Sequence, residues 1–239
     1  MDRTELYRNC RLCPRECKVD RRAGKTGFCG MTSEVMAARA ALHFWEEPCI
    51  SGTEGSGAVF FSGCTLRCVF CQNHESAAGA TEERLSRIFL ELQEKGANNI
   101  NLVTATQFLP TVIPALQHAK KMGLTIPIVY NTGGYEKVET LRLLEELVDI
   151  WLPDCKYRSA ELAARYSRAA DYPETVKTAL AEMVRQTGVP LFDRRGMMKK
   201  GVIVRHLVLP GCVSDSKDVL EYLWDTFGNQ IYVSIMSQY

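Results

Sequence analysis

Three cysteines, Cys64, Cys68 and Cys71, follow one another as C-x3-C-x2-C directly after the apolar run AVFFSG at 58–63. Three thiolates in so short a stretch can wrap one face of a cubane [4Fe–4S] cluster and leave one iron without a protein ligand. An open metal position marks a reactive centre rather than a structural one. S-adenosylmethionine (SAM) can fill that position through its amino and carboxylate groups. An electron delivered there cleaves the sulfonium and releases a 5′-deoxyadenosyl radical. The alternatives are a zinc knuckle with a distant fourth ligand, or three merely buried thiols. Zinc ribbons, however, prefer paired C-x2-C hooks.

The chain holds ten cysteines in 239 residues, eight of them within the first 71. A disulfide scaffold would spread its staples through the fold, so this crowding points to metal or catalysis in a reducing compartment. A second group, Cys10-x2-Cys13-x3-Cys17-x11-Cys29, lies in a basic segment too poor in apolar residues to bury a core of its own. Four thiolates suit either tetrahedral zinc or a closed [4Fe–4S] cluster, and the metal would supply the folding free energy, on the order of 10 kcal/mol. That site is expected to be structural or electron-carrying and not to touch SAM. Cys212, after Pro210-Gly211 at a strand end, reads as a small buried apolar side chain rather than a thiyl relay or a fourth cluster ligand, and no role is read for Cys49 or Cys155. His43, His74 and His206 read as structural.

These groups need a frame. Residues 1–32 form the cysteine-rich segment, 33–56 a connector apolar enough to pack on a neighbour, and 57–239 the main domain. From residue 58, short apolar strands alternate with amphipathic helices. Strands are expected at 58–63, 99–105, 125–131, 148–154, 202–210 and 230–236, and helices at 81–96, 110–123, 136–147, 161–167, 173–188 and 216–228. Thr81 serves as N-cap and Gly96 as stop for the first helix. Alternation of this kind makes βαβ units and a parallel sheet. Glycine-rich phosphate loops of open nucleotide-binding sheets are absent, which leaves an incomplete (β/α)6 barrel of the TIM type with chemistry at the C-terminal strand ends.

The phrases FFSGCTLRCVFCQN, NLVTAT, PIVYNTGGYEKVETL and VIVRHLVLPG, together with Phe70 before the third cysteine, resemble the radical SAM superfamily. Within it they resemble proteins similar to pyruvate formate-lyase activating enzyme, in a branch that begins with a cysteine-rich segment. The resemblance runs from about Gly57 to Tyr239. It implies a [4Fe–4S] cluster on Cys64, Cys68 and Cys71, with SAM bound by polar groups at the strand ends. Those are Thr104, Thr106 and Gln107, where the family has Gly-Gly-Glu; Asn131, where it has Asp; Asp154 and Lys156; Arg205; and Met236 with Tyr239 toward the adenine. Thr106 and Gln107 can make the same hydrogen bonds without the carboxylate charge. Strand alternation puts Asp154 and Lys156 on one side and Cys155 on the other.

The resemblance further implies an anaerobic oxidoreductase fed by flavodoxin or ferredoxin, taking hydrogen from a protein, a peptide or a small molecule. Activation of a glycyl radical enzyme is its specific version. A non-catalytic iron–sulfur or zinc carrier is the competing class, though a carrier needs no polar strand ends. Net charge is +1, which gives no reason to expect nucleic acid or anionic lipid as partner. No apolar run has membrane-spanning length and MDRTELYRNC is not a signal peptide, so a cytoplasmic protein is expected.

Overall fold

The computed structural model describes residues 3–71 and 78–237. In chain order its elements are a one-turn 3-10 helix (Arg3–Tyr7), β1 (Val35–His43), α1 (Pro48–Ser51), β2 (Ser56–Phe61), β3 (Ala78–Ala80), α2 (Glu82–Glu94), β4 (Ile100–Val103) and α3 (Leu109–Lys121). There follow β5 (Ile128–Thr132), α4 (Val138–Arg142), β6 (Ile150–Pro153), α5 (Ala160–Ser167), α6 (Tyr172–Thr187), β7 (Leu191–Phe192), β8 (Met198–Leu207), α7 (Val213–Phe227) and β9 (Tyr232–Met236). No helix among the described residues is long and apolar enough to cross a membrane.

Strands β2, β4, β5, β6, β8 and β9 pair in that order, all parallel, as the six alternating apolar runs predict. Parallel neighbours need crossovers, and α2, α3, α4, the α5–α6 pair and α7 supply them. Among the described residues β9 pairs only with β8, so the curved sheet stays open on that side. This is the incomplete barrel read from the alternation.

Apolar residues pack in two layers. Val59, Leu102, Tyr130, Trp151 and Val204 face the helices in one large cluster. Val129, Ile150, Leu152 and Ile203 face the barrel interior, where Ile50 of α1 joins them. Strand alternation puts every second residue in each layer. Asn131, Asp154 and Arg205 continue the interior parity of Val129, Leu152 and Ile203.

Three differences from the expected elements have physical reasons. The connector is not merely packed on the barrel: β1 pairs antiparallel with β2, and β3 pairs with β1. VMAARAALH hides this strand because small alanines fall on both of its faces. The helix expected at 136–147 is a short α4. Beyond it Leu143, Leu144 and Leu147 bond three residues back, to Thr140, Leu141 and Leu144, in the tighter 3-10 manner. The fifth parallel strand starts four residues early, at Met198, because β7 forms a hairpin with it.

Candidate active site

The loop after β2 carries Cys64, Cys68 and Cys71, and neighbours pin it from several sides. Gly63, with φ +78°, starts it, and a Cβ there would lie 2.7 Å from the Cys29 carbonyl. A side chain at that position is excluded both by conformation and by space. Gln107 Nε2 donates to the carbonyls of Ser62 (2.8 Å), Gly63 (3.1 Å) and Thr104 (2.7 Å), tying the loop's first turn to the end of β4. Leu66 is buried and anchors the loop's middle, with its Cδ1 where a Cβ on Gly133 would collide. The Val69 N–H donates to the Tyr166 carbonyl at the end of α5 (3.0 Å), and Cys68 Sγ lies 2.9 Å from Ser167 Oγ. Burial pushes the Cys68 thiol pKa up, while Lys156 and the Ser167 hydroxyl pull against it. Phe70 lies 5.7 Å from Lys156 Nζ, its ring facing the ammonium.

From this loop a line of alternating charges runs down the barrel interior. Lys156 Nζ sits 2.5 Å from Asp154 Oδ2, and Asp154 Oδ1 accepts from Arg205 Nε at 3.0 Å. Arg205 Nη2 donates to Asn131 Oδ1 (2.7 Å), and its Nη1 lies 3.6 Å from Glu46 Oε2. Asn131 Nδ2 closes the circuit on Glu46 Oε1 at 3.3 Å. Side-chain exposures of 13%, 14%, 17% and 8% for Lys156, Asp154, Arg205 and Glu46 make this a buried network. Burial raises the Asp154 pKa, but Arg205 and Lys156 outweigh it and hold the carboxylate below its ordinary value. Burial lifts Glu46 above its ordinary value against the pull of Arg205. The Tyr172 hydroxyl braces these strand ends, lying 2.9 Å from the Gly133 carbonyl, 2.8 Å from the Asp154 carbonyl and 3.0 Å from the Lys156 N–H.

Of the residues expected to meet SAM, Asn131, Asp154, Lys156, Arg205 and Phe70 are therefore brought together beside the cysteine loop. Ser234 and Met236 pair in register with Arg205 and Leu207 on β9. Thr104 takes a left-handed turn (φ +60°) and its N–H donates to the Asn131 carbonyl. Thr106 and Gln107 are buried and their side chains serve the protein itself. Thr106 Oγ1 lies 2.6 Å from Glu136 Oε1 and 3.0 Å from Tyr130 OH, in the layer that faces the helices. Thr132 also donates to Glu136, whose other oxygen has no hydrogen-bond partner among the described residues, and burial lifts this carboxyl to about 7. His206 is buried with Nδ1 2.7 Å from the Cys155 carbonyl, away from Arg205. His74 and Tyr239 lie outside the described residues.

The cysteine-rich segment is docked on the same end of the barrel. Tyr7 OH lies 3.0 Å from Thr111 Oγ1, and Lys137 pairs with Glu16 at 2.5 Å. Arg15 donates to the Thr65, Ser167 and Arg168 carbonyls (2.9, 3.2 and 2.5 Å), so one guanidinium clamps both the cysteine loop and the C-terminus of α5. A cation is favourable at a helix C-terminus. The Phe28 ring lies between the guanidinium groups of Arg15 (4.0 Å) and Arg67 (4.9 Å). Among the described residues no three Cys, His, Asp or Glu side chains converge closely enough to share one metal ion.

Sequence reasoning missed Glu46, Glu136, Tyr172, Ser167, Arg15 and Arg21. Glu46 had one signal, an acidic pair inside the apolar stretch FWEEP. The others sit on ordinary helical or loop patterns and are recruited only by the tertiary fold.

No family model matches the chain. An uncharacterised protein of Methanocaldococcus jannaschii is 27% identical over a 252-position alignment that spans 98% of this chain and 67% of the relative. The crystal structure of methylornithine synthase (PylB) superimposes with a TM-score of 0.52 at 16% identity, over 73% of this chain and 50% of that one. The crystal structure of HydG, a maturase of the [FeFe]-hydrogenase, gives 0.50 at 13% identity, over 73% and 41%. The chain thus spans half or less of the length of these solved structures. At such identities the likeness establishes the fold alone, a partial (β/α) barrel.

Proposed function

We propose that this chain is a radical SAM enzyme. The observation that carries the reading is the meeting of a three-cysteine loop and a buried charge line at the C-terminal strand ends of a partial barrel, where such barrels keep their chemistry. The donor set fits a [4Fe–4S] cluster: Cys64, Cys68 and Cys71 supply three thiolates, leaving one iron for a small-molecule chelate. When bound, that cluster supplies the electron that cleaves SAM to a 5′-deoxyadenosyl radical. The chain's own residues bind and orient. Lys156 offers an ammonium beside Cys68, suited to the SAM carboxylate. Asp154 and Asn131 offer acceptors for its ammonium or ribose hydroxyls, and Arg205 keeps both in place. Gln107 and Ser167 hold the loop at its two ends.

The substrate reading is a protein or peptide, with glycyl radical activation as its specific form and a low-potential flavodoxin or ferredoxin as electron donor. The side of β9 away from β8 carries no strand among the described residues and exposes Tyr232, Val233 and Ile235, which suits a partner segment. Resemblance to activating enzymes supports the same reading. The test is anaerobic reconstitution with iron and sulfide, followed by SAM and dithionite. 5′-Deoxyadenosine should form, and its absence with a fully loaded cluster would exclude the radical chemistry. Label transferred from a deuterated candidate peptide into that product identifies the substrate.

A further inference from the structure

The geometry points to a second iron–sulfur centre on Cys10, Cys13, Cys17 and Cys29, docked against the loop of the first and magnetically coupled to it. The magnetic coupling rests on the cluster assigned to Cys64, Cys68 and Cys71; the second centre itself does not. Three observations carry it. First, the four thiols share one electrostatic environment: Cys10 and Cys17 both act on Cys13 and on Cys29.

Second, the surroundings are built for negative charge. Arg21 is fully buried (0% exposed), donates to the carbonyls of Met31 (3.0 Å), Thr32 (2.5 Å) and Gln107 (2.6 Å), and reaches Cys10 Sγ at 3.8 Å. None of its hydrogen bonds or ion pairs among the described residues goes to a carboxylate. A buried guanidinium needs a counter-charge, and four metal-bound thiolates provide it. The Phe28 N–H adds a donor to Cys17 Sγ at 3.1 Å, the kind of hydrogen bond that tunes a cluster sulfur. Gly27 keeps room for that sulfur, which lies 3.3 Å from where its Cβ would be.

Third, spacing favours iron–sulfur over zinc. Only Cys10 and Cys13 form the C-x2-C hook that zinc sites use in pairs. The Cys29 carbonyl lies against Gly63, next to Cys64, and Arg15 bonds Thr65 on the other side of Cys64. The two ligand loops therefore touch.

The full chain, reconstituted anaerobically, should hold two [4Fe–4S] equivalents of iron and sulfide. The double variant C13S/C29S and the triple variant C64A/C68A/C71A should each hold one. Electron paramagnetic resonance of the reduced wild type should show spectra broadened by interaction, and each variant a simple signal. Stoichiometric zinc in place of the second cluster, or unchanged iron in C13S/C29S, overturns the proposal. Loss of one cluster in C13S/C29S with none lost in the triple variant upholds the second centre and refutes the proposed active site. Should C13S/C29S fail to fold, C17D keeps an anionic ligand and must alter the signal of one centre; an unaltered spectrum overturns the assignment.

Discussion

Glu136 is a buried carboxyl with two hydroxyl donors on one oxygen and none on the other. Burial lifts it from 4.5 to about 7. The gap corresponds to about 3 kcal/mol, at about 1.4 kcal/mol per pH unit. The sign follows from proton linkage. A carboxyl that holds its proton more tightly when folded favours the fold below its ordinary pKa. That advantage is lost as pH rises from about 4.5 through about 7. Glu136→Gln keeps the shape and the acceptor for Thr106 and Thr132 but removes the titration. Relative to wild type, the variant should gain about 2.5 kcal/mol between pH 5 and pH 8. For a chain of this size that is a Tm difference of roughly 5–10 °C. Urea unfolding of both proteins at the two pH values, anaerobically and at matched metal content, measures it. A stability difference independent of pH would refute the argument that burial, rather than the hydroxyl pair, sets this group.

Asp154→Asn leaves Lys156 and Arg205 facing each other without their shared counter-charge and should destabilise by about 3 kcal/mol in urea unfolding at pH 7. Because Asp154 titrates below its ordinary value, the wild type should lose this advantage only in acid, below about pH 4, and the variant should show no such loss. Cys68→Ala should abolish 5′-deoxyadenosine formation and lower the cluster absorbance to what the second centre alone contributes, about half, while leaving the far-ultraviolet circular dichroism spectrum unchanged. Gly134→Ala should cost at least about 2 kcal/mol by thermal unfolding, since φ is +78° and the new Cβ would run into the Asp154 carbonyl.

The parallel core was legible because β4, β5, β6 and the Val202–Val204 centre of β8 are short, mostly apolar runs, the mark of strands buried on both faces. β1 was not, since alanines carry no alternation signal. The three-cysteine loop stood out by its spacing alone, and the structure places it at the C-terminal end of β2. Asn131, Asp154 and Arg205 were legible once strand parity was assigned, because position along a strand determines the face. Thr106 shows the limit. A 3-10 turn at Thr106–Phe108 follows β4, so counting by alternation past Val103 no longer tells which way a side chain points. Glu46 comes from a connector outside the strand–helix repeat, and nothing local marks its reach into the barrel.

The interior charge line also predicts how substitutions combine. Lys156 and Glu46 each face one opposite charge, whereas Asp154 and Arg205 each face two. Changes at the ends should be tolerated more readily than changes in the middle. Neutralising Asp154 and Lys156 together should cost less than the sum of the separate losses, giving a coupling on the order of 1–3 kcal/mol in a double-mutant cycle. A charge-balanced double exchange along this line should therefore be better tolerated than either single exchange it contains.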